Sequence, residues 1–181
     1  MFARQIRVGV AAMAVAAASM FVACAPVQVR SFTARNAPLT NFHTYRWAND
    51  TARVTGDPRL DNNPFFARRL MTAADRELSA HGFELRSSGD TDLLLHFHAS
   101  VSQRLDVSVI DGTLGACNGC GSSSLYDAGT IMLDLVDPKT NTLLWRAWSE
   151  GSIDGIVDDQ TILEQRIDDA VKRIVATLPK K

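Results

Sequence analysis

The stretch GTIMLDLVDPKTNTLLWRAWSEGSI, residues 129–153, decides the fold. Ile131, Leu133 and Leu135 alternate with Met132, Asp134 and Val136 before a cluster of turn residues from Asp137 to Asn141. Alternation then resumes, with Leu143, Trp145 and Ala147 on one parity and Leu144, Arg146 and Trp148 on the other. Period-2 patterning on both sides of a proline-containing turn is the signature of a β-hairpin with one buried face. The expected core residues are Ile131, Leu133, Leu135, Leu143, Trp145 and Ala147.

Upstream, TDLLLHFHASVSQRLDVSV (91–109) repeats the pattern, with Leu93, Leu95, Phe97, Ala99 and Val101 on one parity and Leu94, His96, His98 and Ser100 on the other. This predicts a third half-buried strand. Two helices are predicted around these strands. In the first, Asn63 is placed to cap, Pro64 suits the first turn and Gly82 suits the left-handed residue beyond the end. Its apolar stripe is Ala67, Leu70, Met71, Ala74 and Leu78. The second carries Leu163, Ile167, Ala170, Ile174 and Leu178, with Thr161 and Glu164 spaced as a capping box and Pro179 as a stop. The acidic pair Asp158 and Asp159 precedes it, where negative charge favours the helix dipole. The fold class that follows is α+β: a single mixed, mainly antiparallel sheet with two helices packed on one face. The opposite face then shows Leu94, Met132, Val136, Leu144 and Trp148 beside His96, His98, Asp134 and Arg146. Of these, Leu144, Trp148, His96 and His98 form a candidate interaction surface; the alternative is that the N-terminal segment covers this face.

The chain opens MFARQIRVGVAAMAVAAASMFVAC, with Arg4 and Arg7 ahead of an uncharged stretch from Val8 to Ala23. That layout is a secretory signal, and the apolar run is shorter than the roughly 20 residues of a membrane-spanning helix. Cys24 follows Phe21-Val22-Ala23, which resembles a bacterial lipobox with phenylalanine in place of leucine. Cys24 is therefore the expected lipidation site, and acylation there ties the chain to a membrane. Ala25 rather than aspartate after the cysteine matches sorting to the outer membrane of a Gram-negative bacterium, on its periplasmic side. The expected division is a lipoprotein signal peptide over 1–23, a tether and edge strand over 24–41, and one α+β domain over 42–181.

Loss of residues 1–23 leaves 158 residues with 17 basic and 20 acidic side chains. That balance gives no electrostatic footprint for nucleic acid. A hydrophobic content of 46% supplies a packed core rather than a disordered chain.

Cys117 and Cys120 lie three apart within GACNGCGSSS (115–124). In an oxidising compartment they can close a local disulfide, worth at most roughly 2 kcal/mol because the loop is so short. No helix pattern begins beside them to stabilise a reactive thiolate. A zinc site needs two further ligands, and His96 and His98 lie roughly 20 residues away, about 60 Å of extended chain. The chain has no nucleophile elbow and no phosphate-binding glycine loop. No catalytic constellation, cofactor or metal site is therefore expected. The alternative to a binding module is a thiol- or metal-dependent activity at the Cys117–Cys120 loop.

FHTYRWA (42–48), TDLLLHFH (91–98), the hairpin stretch through Gly151, and IVATLP (174–179) together resemble bacterial lipoproteins of the DUF4136 family, a domain of unknown function. The resemblance runs from Phe32 to Pro179. It departs at Thr91, where alanine is common, and at Cys117 and Cys120. It implies an envelope lipoprotein of one α+β domain, without catalytic residues to carry over. Its expected partners are the membrane, through the acylated cysteine, and another envelope protein.

Overall fold

The computed structural model describes residues 27–49, 55–105 and 125–180. Six strands form one sheet: β1 (Gln28–Thr33), β2 (Thr44–Trp47), β3 (Glu84–Leu85), β4 (Leu93–Leu105), β5 (Leu125–Asp137) and β6 (Thr142–Ser152). The helices are α1 (Pro58–Asp61), α2 (Phe66–Ala80) and α3 (Gln160–Val175). The strand order is β1-β6-β5-β4-β2-β3. The first three pairings in that order are antiparallel, whereas β2 runs parallel to both β4 and β3. The class is thus α+β with a mixed sheet, as the alternation implies. Parallel pairing requires a crossover, and α2 supplies the one between β2 and β3.

β5 and β6 form the expected hairpin. Asp137 shapes its turn, accepting from the Lys139 amide at 2.8 Å and the Thr140 hydroxyl at 2.9 Å. Asn141 adopts φ 53°, the left-handed conformation that asparagine tolerates better than most residues. The strand parity changes just beyond the turn. Val136 pairs with Leu143 and Leu135 with Trp145, so Leu144 is the extra residue of a β-bulge. Leu144, expected on the open face, is instead 8% exposed and part of the core, while Leu143 is only half-buried. The Leu144 carbonyl released from β5 accepts from the Ala34 amide at 2.9 Å, just past the end of β1.

The core lies between the sheet and the helices. Leu93, Leu95, Phe97, Leu133, Leu135, Trp145 and Ala147 meet Leu70, Ala74 and Leu78 of α2 and Ile167, Val171 and Ile174 of α3. The α2 stripe also takes in Phe66 and Ala73, with Ala67 and Met71 at its rim. Asp75 of α2 pins that helix to β2, accepting from the Tyr45 hydroxyl at 2.6 Å and the Trp47 indole at 3.0 Å. Burial, with Asp75 alongside, raises the Tyr45 pKa far above its usual value. Arg69 links the helices, binding Asp168 through both carboxylate oxygens at 2.9 and 2.7 Å. Among the described residues, the Trp145 indole nitrogen is the one buried side-chain donor without a hydrogen-bond partner. Such a donor costs roughly 1–3 kcal/mol, which the burial of the ring offsets.

The helix starts differ in detail from the sequence expectation. The Asn63 side chain accepts from the Phe65 amide at 2.9 Å, but regular helix begins only at Phe66. At α3 the cap is Asp159, which accepts from the amides of Thr161 and Ile162 at 2.9 and 3.0 Å. Thr161 therefore lies inside the helix. Gly82 takes φ 83° just past α2, as expected of the residue that ends it.

Candidate functional site

The sheet face turned away from the helices is the candidate site. Cross-strand register arranges its side chains in rows. One runs Phe32, Arg146, Asp134 and His96; the next runs Arg30, Trp148, Met132 and His98; a third runs Gln28, Glu150, Thr130 and Ser100.

Asp134, on the central strand β5, organises the first two rows. Its side chain is only 5% exposed, although it stands on the face without helices. Arg146 covers it with a two-pronged ion pair, Nε to Oδ1 at 2.8 Å and Nη2 to Oδ2 at 2.6 Å. Hydrogen bonding to Asp134 raises the Arg146 pKa further above its ordinary value. His98 Nε2 lies 3.6 Å from Oδ2 of the same carboxylate. Planar fork-to-carboxylate pairing fixes both side chains in orientation, so the centre of the face is ordered without a covering layer among the described residues.

Beyond this pair the face opens into a largely polar groove of about 320 Å³, lined by Gln28, Arg30, Arg104, Leu105, Tyr126, Trp148 and Glu150. Arg104 and Tyr126 face each other across β4 and β5. Arg104 also reaches Glu150 of β6 at 3.1 Å. Those two strands extend beyond the part of β4 that pairs with β2, which ends at Leu95.

Of the expected interaction residues, Trp148, His96 and His98 share this face and are half-buried, whereas Leu144 is in the core. Sequence reasoning missed Arg30, Arg104 and Tyr126. Arg30 was hidden in the presumed tether region. Tyr126 belongs to Leu125-Tyr126-Asp127-Ala128, which reads as part of the glycine- and serine-rich loop yet starts β5. Cys24, Cys117 and Cys120 lie outside the described residues. Among the described residues no group of three or more His, Cys, Asp or Glu is set to hold a metal ion.

An open-faced α+β domain with a charge-ordered sheet surface is the class these features define. The chain belongs to the DUF4136 family, "domain of unknown function", whose model matches residues 29–180. None of the curated proteins compared with the chain matches it. Among solved structures, a PelC dodecamer from Paraburkholderia phytofirmans is similar at a TM-score of 0.52 and 13% identity, over 86% of this chain and 99% of that one. A PDZ domain protein from Parabacteroides distasonis is similar at 0.53 and 13% identity, over 86% of this chain and 37% of that one. A DUF4136 family protein from Bacteroides thetaiotaomicron is similar at 0.44 and 12% identity, over 81% of this chain and 95% of that one. At these identities the likeness to the first two is one of fold.

Proposed function

We propose that this chain is a lipid-anchored envelope protein, acylated at Cys24 and held on the periplasmic side of the outer membrane, which works as a non-enzymatic binding module. The observation that carries the binding reading is the open sheet face, where Asp134 and Arg146 hold a fixed platform and Trp148 stands beside a polar groove. A face built for packing would be apolar and covered, whereas this one keeps guanidinium, imidazole and aromatic groups accessible. The β1 edge, with five of its six residues exposed, offers unpaired backbone groups beside the same surface. The partner is another envelope component.

Cells carrying the wild-type chain or Trp148→Ala, crosslinked before envelope extraction, test the binding reading. The expected result is a crosslinked species lost in the variant while its urea midpoint stays within about 1 kcal/mol of wild type. An unchanged crosslinking pattern, or a variant that unfolds, removes Trp148 from any binding role. The intact mass of the mature protein tests the anchor: an acylated chain beginning at Cys24 is expected, and an unacylated start elsewhere refutes it.

A further inference from the structure

The groove beside Trp148 has a composition that narrows what it can hold. Arg30 of β1 stands directly across from Trp148 and is exposed. It has no carboxylate partner among the described residues. Arg104 is already engaged by Glu150 at 3.1 Å. Among the described residues lining the groove, two guanidiniums against one carboxylate leave a local positive charge in a chain whose overall formal charge is −1. A guanidinium with no carboxylate partner among the described residues matches a single carboxylate through its planar donor fork. It is too little charge for a polyphosphate, which needs a basic stripe.

The remaining lining adds two further requirements. Trp148 supplies an aromatic ring whose negative π-face attracts C–H groups carrying partial positive charge. Gln28, Tyr126 and Glu150 supply donors and acceptors suited to hydroxyl groups. A ligand that presents a flat C–H surface, several hydroxyls and a carboxylate satisfies all three, and a sugar acid does so within one ring. An apolar lipid tail would leave these polar groups unpaired. An acidic peptide has the carboxylate but lacks the hydroxyl-rich ring. The volume of about 320 Å³ lies at the low end of ligand pockets, enough for a short saccharide segment at a groove open to solvent.

We propose that this groove binds an acidic glycan, with a sugar ring stacked on Trp148 and its carboxylate held by Arg30. The proposal rests on the binding-module reading and names the ligand class of its open face. Calorimetric titration of the full chain in lipid nanodiscs, prepared without sugar detergents, tests it with trigalacturonate as probe and maltotriose and triglutamate as neutral and peptide controls. Saturable trigalacturonate binding is expected, weakened by salt and at least about tenfold tighter than either control. Arg30→Gln and Trp148→Ala should each weaken it about tenfold with the urea midpoint retained. Absence of trigalacturonate binding, equal affinity for a control, or wild-type affinity in either variant overturns the proposal. If crosslinking finds a partner that depends on Trp148 while trigalacturonate does not bind, the glycan class falls and the binding-module reading stands.

Discussion

The two faces of the sheet are ordered by different forces. On the covered face, Leu93, Leu95, Leu133, Leu135 and Trp145 are fully buried against α2 and α3. On the open face the most buried side chain in the central rows is a carboxylate, Asp134, and its cover is the half-exposed guanidinium of Arg146. Apolar burial is non-directional and gains in proportion to area, so it supplies the stability. Ion pairing in a wet setting contributes less but fixes direction, so it can order a surface that remains available to a ligand. The difference separates the part of the molecule that makes it fold from the part that can recognise something.

The largest expected effect is on the covered face. Leu133→Ala should cost about 3 kcal/mol in urea denaturation, because the removed methyl groups leave a cavity between sheet and helices. A cost near zero would mean that the helices do not bear on the sheet. On the open face, Asp134→Ala should cost about 1–2 kcal/mol. Breaking a fully buried pair costs more, but Arg146 is 40% exposed and water can solvate it once the carboxylate is gone. A loss as large as that of Leu133→Ala would erase the distinction between the faces.

The smallest effect should come from acid. The Arg59 side chain, by hydrogen bonding to it, holds the Asp57 carboxyl below its usual pKa. The amides of His43 and Thr44, with the Thr44 hydroxyl, do the same for Asp92 at the β2 end of the sheet. A carboxylate with a depressed folded pKa contributes stability that is complete above its unfolded value of about 3.9 and is lost as pH falls through the folded value. The urea midpoint should therefore fall on acidification from pH 5 toward pH 2. Asp92→Ala should cost about 1 kcal/mol at pH 7 and flatten the acid slope. An unchanged slope would assign the acid sensitivity to other carboxylates.

How much of this could be read in the sequence follows from the same contrast. Alternation depends on the period of the strand and marks the buried face wherever the pleat is regular. Leu93, Leu95, Leu133, Leu135 and Trp145 were therefore legible. The bulge was not, since Leu143 and Leu144 are adjacent and identical, and only the pairing with β5 decides which one is the extra residue. Asp134 stands at a polar-parity position beside Arg146, and their opposite charges across the turn are a signal of pairing, but its burial is not legible from parity alone. The groove was half legible. Trp148 stood out within the strand pattern, whereas Arg30, Arg104 and Tyr126 reach it only through the register of strands whose ends the sequence blurs.

The place of β1 in the sheet has a kinetic consequence. Among the described strands its one partner is β6, so Gln28 meets Glu150 from the far end of the chain. The β5–β6 hairpin closes through a short turn, but β1 can join only after β6 exists, and joining closes a loop of nearly the whole domain. β1, the first of the described strands in chain order, is thus a late strand to find its place. In hydrogen exchange its amides should be less protected than those of β5, opening by local detachment while β5 exchanges only through global unfolding. Detachment of β1 carries Arg30 with it, so the edge and the groove would open and close together.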